Sequence, residues 1–570
     1  MKPSLEKLFG EGVRRSNGDQ ARRYNLLAAR LIADLIKNLL GPRGLEKVFI
    51  DILGEVTVTK DGATLLRKID VEHPAAKLVI EASNAVDNEV GDGTTSVVVL
   101  VGALVEKAEE LLDIGIAPSI IADGYFEGLE FALEVLQTIA QTFKNDDIEI
   151  MEKIAQTSLR SKSIYFATNE GKLLAKLLVC AICSIADFNN NKLEADDIKI
   201  EEKLGNTSDI QLVKGVVIDK TIDNSAMPRI IKRAKILLLN EGLEGKRTKT
   251  DAEIQIKSHN QIQSYIQKES EAIISKIQQI VNLGANVVIS QKGINMLAQN
   301  YLAKAGIISI RRVKENDMQW IAKATGAKIT RDLSSIAEMH LGYAEKVYEK
   351  FVGDDKMVFV DGCKNPKSVT LLLRANSKIS LDEYHRSVLD VIAVLRNFII
   401  KPSIVAGAGS TETIIAKKIR VKANSIDNRR QIVVQRFAEA LEEIPLTIAR
   451  NAGMNTVNTL TKLRNEYYSS MDTSSSDIAW YGIDAIERKI ENVFHKGIIE
   501  PSVVREQILK TAVEVTNMLI CVDDVLMAKP ALYTHIHADG TRHSHVDGEK
   551  KHDHYFDSLG KKQRPIHHYY

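Results

Sequence analysis

The run Gly91-Asp92-Gly93-Thr94-Thr95 is the densest local concentration of phosphate-binding chemistry in the chain. Glycines let a backbone come close to a phosphate, and the first turn of a following helix offers unpaired N–H groups to it. Thr94 and Thr95 add hydroxyl donors. A carboxylate among such donors would repel the ligand unless a cation lay between them, so Asp92 reads as a Mg²⁺ ligand. The plainer reading, a tight turn with a capped helix start, stays open, because glycine-rich turns are common. Three further segments carry related chemistry. Leu40-Gly41-Pro42-Arg43-Gly44 is a glycine-containing loop able to wrap a phosphate, and Lys60-Asp61-Gly62-Ala63-Thr64 puts a carboxylate in a turn. Gly407-Ala408-Gly409 lies far downstream in a strand or turn context. Each alone is equally a plain turn. No G-x-x-x-x-G-K-[ST] motif and no kinase motif set is present, so the common nucleotide folds are not supported.

The elements that must position these residues fall into three textures. From Tyr24 to Leu40 the residues Leu27, Leu31, Leu35 and Leu39 repeat every four, with Ala28, Ile32, Ile36 and Leu40 beside them, which predicts a well-buried helix. Gly41-Pro42-Arg43-Gly44 stops it. Short β-branched runs follow at Val48–Ile52 and Glu55–Thr59, and a long helix is expected from Thr94 to about Leu112. Between about Val216 and Val360 short apolar runs such as Ile236–Leu239, Val287–Ile289 and Ile307–Ile310 alternate with helical patterns, which predicts a parallel sheet with helices on its faces. Glu241–Ser258 is polar and aperiodic and reads as an exposed excursion, followed by a helix marked by Ile262, Ile266, Ile273, Ile277 and Ile280. Helical texture returns after Ser380, where Ser380 and Glu383 have capping-box spacing and Tyr384, Val388, Val391, Leu395 and Phe398 share a face. It continues to about Met527. The pattern is an all-α unit made from both chain ends with an α/β unit inserted.

A chain of 570 residues is too long for one core, so three or more folding units are expected. With 76 basic against 75 acidic residues it lacks the cationic excess that phosphate-backbone binding needs, which argues against nucleic acid as the main ligand. The apolar runs Val97–Val105 and Leu177–Ala186 are too short to span a bilayer, and no secretory segment is visible at the start. Four cysteines exclude a disulfide framework and point to a reducing cytoplasm. Cys180 and Cys183 form a C-x-x-C inside an apolar run, read as two small hydrophobes on a buried helix face rather than a redox or metal pair.

Order and spacing decide among these readings. Leu40–Gly44, Thr59–Thr64, Asp70-Val71-Glu72-His73-Pro74-Ala75-Ala76-Lys77 and Gly91–Thr95 closely resemble the N-terminal signature of the group II chaperonins, the thermosome-like family of archaea and the eukaryotic cytosol. The resemblance runs on through Gln291-Lys292-Gly293-Ile294, Arg311-Arg312-Val313, Ala324-Thr325-Gly326-Ala327, Asp354-Asp355-Lys356-Met357 and Gly362-Cys363-Lys364-Asn365-Pro366-Lys367. It ends with Asn451-Ala452-Gly453, Glu500-Pro501 and Asp523-Asp524-Val525, and so covers about residues 15 to 530. It implies a multi-domain, α-rich subunit. An all-α equatorial ATPase domain would span 1–144 and 401–530, a small α/β intermediate hinge domain 145–213 and 366–400, and an α/β apical substrate-binding domain 214–365. A helical lid protrusion would occupy about 241–280. Such subunits, alone or with paralogous subunits, form two stacked rings that enclose non-native protein and are driven by Mg-ATP hydrolysis.

Residue by residue, the resemblance puts Leu40, Gly41 and Pro42 on the nucleotide phosphates, Asp92 on Mg²⁺, and Gly93, Thr94, Thr95 and Ser96 along the phosphates. Asp61 and Asp390, the latter in Arg386-Ser387-x-x-Asp390, match the two carboxylates that orient and activate the attacking water. Ser161 and Lys162, in Thr157-Ser158-Leu159-Arg160-Ser161-Lys162, match the segment that senses the γ-phosphate, and Gly407, Gly482, Asp484, Ala485 and Glu500 match the adenosine side. Some positions depart from the family. Leu39 stands where Thr or Ser is usual, and Lys60 where Asn is usual. Ala408 replaces the middle glycine of a Gly-Gly-Gly, and Ala375 the glycine usual after Arg374. A methyl at these last two needs a negative φ and room beside the nucleotide. The departures leave a weakly hydrolysing structural subunit of a mixed ring as an alternative.

Residues 531–570 carry eight of the chain's thirteen histidines among Asp, Gly and Lys, which predicts a disordered tail. Its three H-x-H pairs, His535 and His537, His543 and His545, His552 and His554, suit Zn²⁺, Ni²⁺ or Cu²⁺, so a metal-binding assembly is a further alternative.

Overall fold

The computed structural model describes residues 14–162, 170–244, 259–331, 333, 336–364, 366–469, 480–527, 532–536 and 542–546. Most of the expected excursion, residues 245–258, lies outside the described residues, as do His537, His552 and His554 of the tail. The chain divides into a terminal unit, Met1–Tyr24 with Val522–Tyr570, and a large unit, Asn25–Cys521.

In the terminal unit the strand Arg14–Asn17 pairs antiparallel with Asp524–Met527, Asn17 opposite Asp524, and the Gly18 N–H donates to Asp523 O at 2.7 Å. Two segments of the tail lie among the described residues. Leu532–Ile536 and Arg542–Val546 form an antiparallel pair with Leu532 opposite Val546.

The large unit holds three principal hydrophobic cores. The first gathers helices from both ends of the chain, among them Pro74–Val90, Thr94–Asp113, Pro118–Ile139, Ser410–Ala423, Arg430–Leu441 and Ser502–Cys521. Val97 to Val101 are all buried in Thr94–Asp113, so packing on every side overrides the strand propensity of that run. His73 and Pro74 start the Pro74–Val90 helix: His73 Nδ1 accepts the Ala75 N–H at 3.2 Å, and proline suits the first turn. The helix Gly18–Ile36 buries only part of the expected set. Ile32 and Ile36, together with Leu26, Ala29 and Ala33, face the core, whereas Leu27, Leu31 and Leu35 are 48%, 58% and 38% exposed. Small residues explain the choice. A Cβ on Gly102 would lie 2.4 Å from Ala33 Cβ, so this helix packs through its alanines against the glycine of its neighbour. The region expected to be all-α also holds short antiparallel sheets, Lys47–Ile50 with Val56–Thr59 and Tyr481–Asp484 with Lys489–Asn492. A third joins Gln141–Thr142, Ser403–Ala406 and Ile499–Pro501, which tie together distant parts of the chain.

The second core packs the helices Ile148–Arg160, Glu170–Ile185 and Lys378–Ile400 on a three-stranded sheet. In that sheet Val369–Ala375 runs parallel to Ile198–Leu204 and antiparallel to Gln211–Val213. Lys378–Ile400 is capped by Ser377, whose Oγ accepts the Ser380 N–H at 3.1 Å, so the Ser380–Glu383 pair is not the cap. Helix Glu170–Ile185 leaves Cys180 exposed and Cys183 only partly buried, which corrects the reading of that pair as a buried face. Its buried face is Leu174, Leu178, Ala181 and Ile182 instead.

The third core is a mixed sheet in the order Ile308–Ile310, Val287–Ser290, Ile230–Leu239, Gly342–Val352, Asp355–Asp361, Val216–Ile218. The first three strands are parallel as expected, as is the short strand Ile329–Thr330 that pairs beside Ile230–Leu239, but the other pairings are antiparallel. The connection Gly353-Asp354 between two long strands is too short for a parallel crossover. Ile273, Ile277 and Ile280 of helix His259–Asn282 are buried in this core.

Candidate functional site

Loops from widely separated parts of the large unit converge on one cleft. Its polar end is built around two helix starts. Gly91 ends the Pro74–Val90 helix at φ 72°, and Gly93 precedes Thr94–Asp113 at φ 86°, both in the left-handed region that favours glycine. Space matters as much as torsion here, because a Cβ would lie 2.2 Å from Ala393 Cβ at Gly91 and 2.5 Å from Ile508 Cδ1 at Gly93. No side chain caps the Thr94–Asp113 helix, so its first turn opens into the cleft with Thr94, Thr95 and Ser96 along the wall. Asp92 lines the cleft beside it and accepts the Gly93 N–H at 2.7 Å.

Asp61 caps the neighbouring helix Gly62–Lys68, accepting from the N–H groups of Ala63 at 3.3 Å and Thr64 at 2.8 Å. Thr94 Oγ1 donates to it at 3.2 Å. Burial alone would push its carboxyl up, but the Lys162 charge and the bonds from Thr64 and Thr94 outweigh that and hold it below the usual range. Lys162, itself buried, donates to Asp390 Oδ2 at 2.6 Å. Asp390 shows the opposite balance. Burial pushes it up to about 7, Lys162 only partly offsets this, and the charges of Asp61 and Asp92 add to the rise. Burial would lower Lys162, yet Asp390, Asp61 and Asp92 keep it above its ordinary value. Two carboxylates a short way apart are thus driven in opposite directions around one ammonium.

The loop after Leu39 forms the next wall with Leu40, Gly41 and Pro42. Asn451 Nδ2 pins it by donating to Lys37 O at 3.0 Å and Leu40 O at 2.9 Å. Ser161 lies at the end of the Ile148–Arg160 helix, beside Lys162. At the far end Asp484, Ala485 and Glu500 line the cleft among Ile444, Ile448, Ile483, Ile486 and Ile498. Asp484 Oδ1 accepts the N–H groups of Ile486 at 2.8 Å and Glu487 at 3.0 Å. Arg505 is buried between Glu412, which its Nη1 contacts, and Glu500, to which its Nε donates at 2.8 Å. Burial pushes Glu500 up to about 7, with Arg505 opposing and Glu412 reinforcing the shift.

Three expected residues do not themselves line the cleft. Asp390 reaches it through Lys162. Gly407 and Gly482 stand behind the wall: a Cβ on Gly407 would lie 3.4 Å from Glu500 Oε1, and one on Gly482 3.2 Å from Ala408 Cβ. Ala408 lines the cleft at φ 58°, so the expected condition of a negative φ is not met there. Its carbonyl accepts the Ile483 N–H at 3.0 Å, which holds it in the strained region. Ala375 has no such problem, being a buried strand residue outside the positive-φ set. Sequence reasoning missed Arg505, Thr157, Arg160 and the isoleucine walls as parts of the cleft. No local motif marks Arg505, which lies on the helix Ser502–Cys521.

The model of the TCP-1/cpn60 chaperonin family matches residues 32–530. The chain belongs to the TCP-1/cpn60 chaperonin family. Among its relatives are thermosome subunit alpha of Archaeoglobus fulgidus, 43% identical over 92% of this chain and 94% of the relative, and a thermosome subunit of Pyrococcus abyssi, 42% identical over the same shares. Thermosome subunit alpha of Sulfolobus acidocaldarius is 42% identical over 92% of this chain and 95% of its own length. This chaperonin chain is a group II subunit that assists protein folding. Among the described residues of the chaperonin, no helix is long and apolar enough to cross a membrane.

Proposed function

We propose that the cleft binds and hydrolyses Mg-ATP and that this drives a cytoplasmic double-ring chaperonin enclosing non-native protein. The single observation that carries the reading is the convergence of Asp61, Asp92, Lys162 and an uncapped helix start on one cleft, with Asp390 joined to Lys162. The fit is chemical. Backbone N–H groups suit phosphate oxygens, and the Asp92 carboxylate is a hard oxygen ligand of the kind Mg²⁺ takes. When bound, the metal neutralises phosphate charge and polarises the bond to be broken. Asp61 stays ionised and orients the attacking water, while Asp390, near 7, is matched to accept its proton at neutral pH. Lys162 and Ser161 face the γ-phosphate, with Leu40, Gly41, Pro42, Gly93, Thr94, Thr95 and Ser96 along the phosphates. Asp484, Ala485 and Glu500, backed by Gly407 and Gly482, hold the adenosine between the isoleucine walls.

On this reading the first core belongs to the equatorial domain (1–144 and 401–530), most of the second to the intermediate domain (145–213 and 366–400) and the third to the apical domain (214–365), with a lid near 241–280. Association with copies of itself or paralogous subunits is supported by exposed apolar groups on the first core, Leu27, Leu31 and Leu35 on one helix face and Ile52 and Leu53 at a hairpin tip. The relatives from Archaeoglobus fulgidus include both an alpha and a beta thermosome subunit. Electron microscopy and ATPase assay of the chain expressed alone test the proposal together. Double rings with Mg-dependent turnover are expected, and rings without turnover would support instead a weakly hydrolysing member of a mixed ring. That second reading draws on one observation, the methyl of Ala408 at positive φ in the cleft wall.

A further inference from the structure

Glu383 has the spacing of a capping residue but does other work. It is buried on the helix Lys378–Ile400, two turns before Asp390 and on the same face. Its Oε2 accepts from Thr59 Oγ1 at 3.0 Å, and Thr59 Oγ1 in turn accepts the Asp61 N–H at 3.0 Å. Arg386 holds the same carboxylate oxygen from Nη2 at 2.6 Å and Nε at 3.2 Å. The Thr59–Glu383 bond crosses from the strand that feeds the Asp61 turn to a helix whose apolar face, with Tyr384, Val388 and Val391, belongs to the second core. The same helix touches the Asp92 loop as well. Ala393 Cβ occupies the space a Gly91 side chain would need, and Asn397 Nδ2 donates to Val90 O at 3.0 Å.

One helix therefore carries Asp390 directly and grips the backbone that presents Asp61. We propose that Glu383 is a positioning residue for ATP hydrolysis: through Thr59 it fixes the Asp61 turn so that Asp61 and Asp390 converge only when this helix is seated. The inference rests on the reading that the cleft hydrolyses ATP. Misplacing a reacting group by about 1 Å costs on the order of 100-fold in rate. Removing Glu383 should act on turnover rather than on nucleotide affinity, because neither Glu383 nor Thr59 lines the cleft.

The test is steady-state ATPase with Mg-ATP on the full chain, comparing Glu383→Ala, Glu383→Gln, Thr59→Val, Thr59→Ser and the double variant Glu383→Ala with Thr59→Val. Glu383→Ala and Thr59→Val are each expected to lower kcat about 10-fold or more with KM within about threefold. The double variant should be no worse than either single one, since both break the same chain of bonds. Thr59→Ser keeps the hydroxyl and should recover most of the turnover, and Glu383→Gln keeps an accepting oxygen and should recover part of it. Near-isosteric Thr59→Val remains informative where Glu383→Ala fails to fold. Wild-type kcat in Thr59→Val, a loss confined to KM, or losses that multiply in the double variant would overturn the role of Glu383. Absence of turnover in the unaltered chain would overturn the ATPase reading and this inference with it.

Discussion

The cleft has a buried ion cluster at each end, and the two are built on opposite plans. At the glycine-rich end one ammonium, Lys162, serves carboxylates from different segments, touching Asp390 at 2.6 Å and lowering Asp61 by its charge. At the isoleucine-lined end one guanidinium, Arg505, is gripped by Glu412 and Glu500 together. An ammonium is a compact charge on a long stem that can exchange partners, whereas a guanidinium fork is fixed by the geometry of its acceptors. The lysine end is suited to a site whose charges change during a reaction. The arginine end is suited to anchoring the strand Ile499–Pro501 against the helices Ser410–Ala423 and Ser502–Cys521.

If the arginine end is chiefly structural, Arg505→Met should give the largest stability loss, about 3–5 kcal/mol, because it strands two buried carboxylates without their cation. Denaturant unfolding reads this, and a loss below about 1 kcal/mol would remove the distinction between the ends. At the lysine end the expected effect is on chemistry instead. Asp390→Ala should retain ATP binding yet lose about 100-fold or more in turnover, while Asp92→Ala should weaken Mg-nucleotide binding. Calorimetry beside the rate assay separates the two, and undiminished turnover in Asp390→Ala would exclude it from the mechanism.

Titration sharpens the contrast further. Burial pushes both Asp390 and Glu500 up to about 7, and on the proposed reading only the first accepts a proton from water. Turnover should fall as pH drops below 7 through protonation of Asp390, whereas protonation of Glu500 should appear in KM. Because Lys162 opposes the rise of Asp390, Lys162→Met should move the acidic limb of the kcat profile to higher pH. An unmoved limb would dissociate the pair. The same shifts have a stability sign. Carboxyls raised in the folded state bind protons more tightly there, so the contributions of Asp390 and Glu500 are full below about 4 and are lost as pH rises through about 7. Asp61, held low, contributes in the opposite sense, and its stability is lost as pH falls through its folded value.

The smallest expected effect lies between the two ends. Ala408→Gly should stabilise the chain by about 1 kcal/mol, because the left-handed region costs an alanine roughly that much more than a glycine. A matched thermal scan checks the direction. Destabilisation would mean that the Ala408 methyl contributes more by packing near Gly482 than it loses to strain.

The loops that build the cleft were legible from the chain because their signals are local. Gly91-Asp92-Gly93 and Asp61-Gly62 carry their meaning in adjacent residues, and the ordered motifs from Leu40 to Asp524 sufficed for the family. Burial and partnership were not legible, since they depend on what arrives from elsewhere. Helix Gly18–Ile36 offers two apolar stripes, and only the close approach of Ala33 to Gly102 decides which is covered. Glu383 has capping spacing in the sequence, yet Ser377 takes the cap and Glu383 reaches across to Thr59. Arg505 shows no motif at all until Glu412 and Glu500 are brought around it. The sequence by itself determined the main helices and the glycine turns, because torsion preferences and backbone donors are properties of neighbouring residues. The tertiary structure alone decided which carboxylate is low and which is near 7, because desolvation and the reach of Lys162 exist only once segments hundreds of residues apart share one cleft.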